Sequence, residues 1–561
     1  MSFRAFLWFM LPVWGASAWS WTSLCGGTHP GGVALIGWWK LEEDTRDFSS
    51  HSLHAVNHGV RFEVDRNGTR AATFDGRGAW LEIPSDPRLR LVRDDFCVAL
   101  WVYTDETLDD DFGDLVTLYE PLQRVGFNLA LRNNTGVTTC QANTRQLQFG
   151  IDAGTEPKWS DVGRPGNAVF VMALAVHDGY LYAGTSSNRP NETGRVFRYD
   201  GPGRWIDRGS PDKSNAISAM AVHNARLYVA SSRYRFAGSA LPESPNVHPG
   251  GGVYRWEPEN RWVEVGRLPQ TEAIGGLVVY KGQLYASSLY KPAGFFRYEQ
   301  DGVWRSLPTP EEHRVESLGV FNGFLWATSY DGGRIYRFDG ETWKDCGQLG
   351  DNTQTYSFAV HEGKLCVGTW PSGKVFRLID QDSWQEIGRL GEEREVMGML
   401  VHNGKLYAGT LPSAEVYRYD GGRIWTKTAR LDLTADVTYR RAWTMAQYAG
   451  QLFCGTLPSG HVHAMEAGVC VTCDQELPAG WRHVAAVKSQ GKLALYVDGK
   501  RVAESAAFDP ARFDLTTDAP LRIGAGAGDF FRGRIRDVRF YRGSMGPSDV
   551  VRLAQERPTS R

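Results

Sequence analysis

The 561-residue chain has only nine methionines and eight cysteines, and no excess of charge: 62 Lys and Arg stand against 64 Asp and Glu. That balance argues against a nucleic-acid binder relying on a globally basic surface, and against a disordered acidic chain. Eight cysteines permit one or two disulfides outside the cell but do not make a disulfide-built fold. No window beyond the N-terminus approaches membrane-spanning length, so no transmembrane segment is expected in the mature chain. Gly-x-Ser-x-Gly, His-Glu-x-x-His and P-loop signatures are all missing. What is abundant is glycine (63) and aromatic residues (20 Trp, 22 Tyr, 26 Phe). Many turns and many strands give an all-β protein as the expectation, and the length suits about three domains.

The N-terminus reads as an export signal. Arg4 supplies positive charge, an apolar stretch runs from Ala5 to Trp14, and Ala16-Ser17-Ala18 is a small-x-small cleavage pattern. Residues 1–18 are read as the signal and 19–34 as an N-terminal segment. The apolar run is too short to span a bilayer comfortably. Cys25 follows Thr22-Ser23-Leu24, which lacks the small residue that precedes a lipidated cysteine. The expected location is secreted, periplasmic or cell-surface. Sequons at Asn67, Asn133 and Asn191 matter only if the source glycosylates.

A phrase recurs seven times, at Leu181 (LYAGT), Leu227 (LYVAS), Leu284 (LYASS), Leu325 (LWATS), Leu365 (LCVGT), Leu406 (LYAGT) and Leu452 (LFCGT). Each follows an apolar strand and a tight turn such as Asn403-Gly404, where positive φ suits a two-residue hairpin. A third strand comes next (Val196-Phe197-Arg198-Tyr199 and its equivalents), and a fourth opens on Trp205, Trp262, Trp304, Trp343, Trp384 or Trp425. Four short strands every ~40–50 residues is the period of a β-propeller blade. The seventh repeat lacks its fourth strand, and the missing piece stands before the first, at Lys158-Trp159-Ser160-Asp161-Val162-Gly163. One strand from the N-terminal side would close the ring and remove its open edges. The expectation is a seven-bladed β-propeller over 157–466, and its repeats resemble those of kelch-like propellers in architecture.

The flanks carry Phe74-Asp75-Gly76 with Trp80-Leu81-Glu82-Ile83-Pro84, Trp481-Arg482-His483-Val484-Ala485-Ala486-Val487 with Leu495-Tyr496-Val497-Asp498-Gly499, and Phe531 to Tyr541 as F-x-G-x-I-x-D-V-R-F-Y. These phrases resemble the laminin-G-like jelly roll of the concanavalin-A-like lectin superfamily. The resemblance implies a jelly-roll β-sandwich in two halves, 35–156 and 467–561, interrupted by the propeller. Insertion at an exposed loop tip is a tolerated arrangement. Cys140, Cys470 and Cys473 fall near the junction, where a disulfide would clamp the halves. The resemblance also implies a calcium site with Asp47 and Asp537 as ligands, with solvated or capping aspartates as the alternative. The acidic run at Asp105, Glu106, Asp109, Asp110, Asp111 and Asp114 reads as a solvated loop, with a metal site as the sharper alternative.

Within the repeats, the arginine of strand three (Arg198, Arg255, Arg297, Arg337, Arg377, Arg418) and the turn aromatics including His177, His223, His361 and His402 recur as structural positions. Function should lie where repeats disagree. The variable position opening the innermost strand holds Met172, Ser218, Gly275, Glu316, Tyr356, Met397 and Trp443. The connection between strands two and three is long only in the second repeat, about 231–251, and contains Tyr234, Arg235, Phe236 and His248. Glu316, Tyr356, Arg441, Trp443 and that loop are expected to form a ligand surface at the channel mouth. The sequence therefore points to a secreted or cell-surface, non-enzymatic binding protein for an extracellular glycan or protein. The alternative is a polysaccharide-acting glycoside hydrolase or lyase at the same mouth, where acids such as Glu316 and Glu395 would have to converge. Phe338 to Trp343 is one residue short of a sialidase Asp box and reads as a turn.

Overall fold

The computed structural model describes residues 32–239 and 241–556. The signal reading and Cys25 lie outside them. The chain is almost entirely strand, with one α-helix among the described residues, Pro547–Gln555. No helix of the described residues is long and apolar enough to cross a membrane.

Two sheets form the sandwich. In the eight-stranded sheet, Phe96–Thr104 lies between Arg532–Arg542 and Gly480–Ser489. In the seven-stranded sheet, Val469–Cys473 pairs with Asn143–Ala153. Strands from both flanks thus interleave in each sheet, so the jelly roll is one body cut by an insertion. Strand alternation builds its core: Phe127, Leu129, Leu131, Leu147, Phe149 and Ile151 face Phe96, Val98, Leu100 and Phe540 across the sandwich. The intervening side chains, Asn128, Arg132, Gln146 and Gln148, point away from that core, yet they are buried. What buries them is the propeller.

The repeats form a β-propeller arrangement of five four-stranded sheets and one eight-stranded sheet. The expectation of seven separate blades is corrected here. The first two repeats share the eight-stranded sheet, joined by the pairing of Ser186 with Ala216. Lys158–Asp161 pairs with Val462–Glu466 and completes the sheet of the last repeat. Most strand-three arginines are held by acids, as Arg255 is by Glu257 and Asp301 and Arg418 by Asp420, whereas Arg337 lies over the Phe324 and Trp326 rings.

The hairpin connection at 135–142, between the sandwich strands Val125–Asn134 and Asn143–Ala153, enters the propeller channel. Its backbone and side chains bond the inner strands in turn. Thr139 Oγ1 donates to the Ser218 carbonyl (2.6 Å), and the Gln141 amide to Met220 (3.0 Å). The Leu277 amide donates to Thr139 (3.2 Å), Val320 to Thr135 Oγ1 (2.8 Å), Phe358 to Gly136 (2.8 Å) and Val176 to Ala142 (2.9 Å). Around this plug the sandwich covers the turns that link the first and second strands of the repeats. Asp109 and Asp110 accept the amides of Gly282 and Gly323, each at 2.8 Å. The amides of Glu362 and Gly363 reach the carbonyls of Ala527 and Gly528, and Asp474 and Thr472 take those of Ala449 and Gly450. The sandwich therefore seals one face of the propeller.

Candidate functional site at the open channel mouth

With one face sealed, four of the seven variable positions come together at the other end of the inner strands. Met172, Tyr356, Met397 and Trp443 pack with Phe170, Phe236, Leu411 and Leu457, flanked by half-buried Tyr234, Tyr330, Trp370 and Tyr439. Trp443 donates its indole N–H to the Met172 carbonyl (2.9 Å) and lies edge-on to Phe170 at 5.4 Å. Tyr330 and Tyr356 rings sit 5.0 Å apart. The long loop of the second repeat folds over this mouth, with Phe236 fully enclosed and Tyr234 against Phe170 at 5.7 Å. Arg235 stands apart: it is exposed at the rim, paired with Glu272 (2.6 Å) and stacked on Tyr290 (4.6 Å). Ser218 is taken by Ser232 and the Ile274 carbonyl, and its own carbonyl by the plug. Gly275 leaves room for its neighbour, since a Cβ there would come within 3.0 Å of Glu316 Cγ.

Beneath the aromatics lies a polar floor. Glu316 and Glu395 are each 2% exposed and Arg441 is 8% exposed. Glu316 Oε2, Glu395 Oε1 and Arg441 Nε and Nη1 have no hydrogen-bond partner. Such groups are rare inside proteins because each forfeits its hydration. Burial pushes the Glu316 carboxyl well above the usual range, with Glu395 adding to the rise against the pull of the Tyr330 hydroxyl and Arg314. Burial also raises Glu395, to about 7, against the pull of Arg441 and Tyr356. The two carboxyls are thus within each other's field at this mouth. Tyr330 and Trp370 escaped the sequence reading, although a signal existed. Both stand five residues after the leucine that opens the repeated phrase, where other repeats carry Ser186, Ser232, Leu289, Leu411 and Leu457.

The remaining expected sites look different. Asp47 and Asp537 do come together, on either side of Trp38. The Trp38 amide donates to Asp47 (2.9 Å) and its indole N–H to Asp537 (2.6 Å). Asp47 also accepts from the Ser49 amide and hydroxyl and from the Leu53 amide. Arg539 places its guanidinium on Asp537 at 2.9 and 3.1 Å. Protein donors and a fixed cation fill the ligand positions, so this pair does not fit a calcium ion. No cluster of three or more potential metal-ligating side chains occurs among the described residues.

The acidic run is not solvated throughout. Asp110, Asp111 and Asp114 are buried, and Asp111 and Asp114 hold the enclosed Arg132 at 3.4 and 2.8 Å. The expected disulfide is likewise corrected: Cys140, Cys470 and Cys473 are all free. Cys140 packs among propeller residues with Met220 and Tyr254, whereas Cys473 belongs to the sandwich core. In a strand, positions three apart face opposite sides, so Cys470 and Cys473 cannot pair with each other either. Cys470 instead lines a cleft of about 680 Å³ beside Gly450, Asp474 and residues 502–508.

Fold and site together define an all-β protein with a laminin-G-like jelly roll and a β-propeller whose free mouth carries a buried polar floor. A sequence model of the concanavalin A-like lectin/glucanases superfamily, of laminin-G type, matches residues 428–551. Its match begins within the propeller repeats and runs on through the second half of the sandwich. No curated protein matches the chain. Among solved structures, virginiamycin B lyase from Staphylococcus aureus is similar with a TM-score of 0.44 and 11% identity, covering 55% of this chain and 99% of that one. A streptogramin B lyase gives 0.44 and 11%, over 55% and 97%. The WD40 propeller domain of Doa1 gives 0.39 and 12%, over 55% and 97%. These likenesses carry no statement about activity.

Proposed function

We propose that the protein is an extracellular binding protein that takes a glycan at the open mouth of the propeller. One observation carries this reading: half-buried Tyr234, Tyr330, Trp370 and Tyr439 stand with buried Glu316, Glu395 and Arg441, each of which keeps at least one polar atom without a hydrogen-bond partner. Aromatic faces suit the C–H faces of sugar rings, and convergent polar groups suit their hydroxyls. The sandwich serves as the support that closes the other face; its outer polar sheet is occupied by the propeller. A glycan array with the secreted chain tests the reading. Binding that weakens about tenfold or more in Trp370→Ala and Tyr439→Ala supports it. Binding unchanged in both variants refutes the mouth as the site.

A second reading, a polysaccharide hydrolase or lyase, is favoured by two buried carboxyls, Glu316 and Glu395, that lie within each other's field and are both raised by burial. Glu316 would hold its proton as the acid, while Glu395, near neutrality in affinity and beside Arg441, would serve as the base. Release of new reducing ends from a bound polysaccharide, abolished in Glu316→Gln, distinguishes this reading from binding alone.

A further inference from the structure

Arg441 opens the inner strand Arg441–Tyr448, and its guanidinium lies 6.0 Å from the Trp443 ring under the mouth. It is enclosed, yet two of its nitrogens, Nε and Nη1, have no partner. Among the described residues none forms an ion pair with it. Other buried arginines have partners: Arg132 has two aspartates, Arg418 has Asp420, and Arg145, which is in no ion pair, donates to the carbonyls of Leu477 and Asp105. A guanidinium does not lose its proton, so a buried one without a counter-anion costs several kcal/mol. The carboxyl nearest in effect is Glu395, whose burial favours its neutral form and so weakens it as a counter-ion. Burial likewise favours the neutral form of Glu316. The floor therefore offers a buried guanidinium with two free nitrogens, within the field of Glu395 but in no ion pair, next to two buried carboxyls whose neutral forms can donate or accept hydrogen bonds.

The geometry points to a ligand that brings its own carboxylate: an acidic glycan built of uronic acid residues, with the carboxylate on Arg441 and ring hydroxyls on Glu316 and Glu395. This rests on the mouth being a glycan site, and it specifies which glycans. Neutral sugars would leave the guanidinium unpaired and gain less. Arginine suits the task better than lysine because its planar fork matches a carboxylate.

The test uses the full chain and calorimetric titration with oligogalacturonate, oligomannuronate and hyaluronate fragments. Each is compared with its methyl-esterified form and with neutral galactose and glucose oligomers of equal length. At least one acid is expected to bind about ten- to hundredfold more tightly than its ester, the gain of a charged hydrogen-bonded pair. Arg441→Met is expected to erase that preference, acid and ester then binding alike, and Arg441→Lys, which keeps the charge but not the planar fork, to reduce it. The ester comparison uses the native chain, so it stands even if a variant misfolds. Equal binding of acids, esters and neutral oligomers overturns the inference and leaves the glycan reading intact. Acid preference that survives in a folded Arg441→Met also overturns it. No binding to any member takes down the glycan reading and the inference with it.

Discussion

The carbonyl of Gly136, in a hairpin loop of the sandwich, accepts the amide of Phe358 on an inner strand of the propeller at 2.8 Å. Gly136 has φ +68°, and a Cβ placed there would come within 2.9 Å of the Phe358 ring and 3.1 Å of Gly319 Cα. Ser317 Oγ also donates to Gly136, at 3.1 Å. One small residue thus allows a loop of one domain to seat itself in the channel of the other. Gly136→Val combines a strained left-handed backbone with a clash in a filled channel. It should cost about 2–4 kcal/mol. Because the plug bonds inner strands of most repeats, sandwich and propeller should unfold together. Urea unfolding followed by tryptophan fluorescence and far-UV circular dichroism should show one coincident transition in the native chain. Two separated transitions in the native chain would show that the plug does not couple the domains.

A second expectation concerns the acids that cap the propeller turns. Burial raises Asp109 and Asp110 from 3.8 to about 6 each, against the bonds from Gly282 and Gly323. The folded chain therefore holds protons that the unfolded chain has released. The stability tied to this is full below pH 3.8 and is lost as pH rises through about 6. Asn keeps the acceptor oxygen but cannot ionise. Asp109→Asn/Asp110→Asn should gain on the native chain steadily between pH 4 and 7, as read from Tm at each pH. A constant difference across that range would show that these carboxyls do not titrate in the interface.

Much of this architecture was legible in the sequence because it rests on local rules. Tight turns, a repeated phrase and alternating apolar positions define the strands, and the surplus strand at Lys158 announces ring closure. The sandwich phrases are local too. What was not legible depends on which surfaces meet. Nothing in the small polar segment 135–142 says that it fills a channel. Asp109 and Asp110 read as solvated because the amides that hold them belong to turns far along the chain. The separate-blade count failed at Ser186 and Ala216, where one backbone pairing merges two sheets. Asking where repeats differ picks out Tyr356 and Trp443, which pack together, and the buried Glu316. Tyr330 and Trp370 were open to the same question at another position of the phrase. Asp47 and Asp537 both bond Trp38, and the register that sets Trp38 opposite Arg539 also delivers the cation that sits on Asp537.

That occupancy has a measurable consequence. Calcium addition or chelation should leave Tm unchanged, since Arg539 already sits on Asp537. Arg539→Ala removes the partner of a buried carboxylate and should cost about 3 kcal/mol. A calcium-dependent rise in the native Tm would show that the ion displaces Arg539.

The last expectation turns on Glu395. Burial lifts it from 4.5 to about 7, so the folded chain keeps this proton after the unfolded chain has lost it. Its contribution to stability is full below pH 4.5 and disappears as pH rises through about 7, a change on the order of 3 kcal/mol. Glu395→Gln preserves shape and stays neutral throughout. The variant should match the native chain near pH 4.5 and exceed it in Tm at pH 8, the difference growing across the interval. An acidic ligand on Arg441 should push the carboxyl further toward its neutral form, because a second negative charge enters the same floor. Binding of such a ligand by the native chain should then take up protons near pH 7, whereas Glu395→Gln should bind with less proton uptake. Titration in two buffers of different ionisation enthalpy reads that uptake directly. Equal uptake in both proteins would mean that the ligand carboxylate lies outside the field of Glu395.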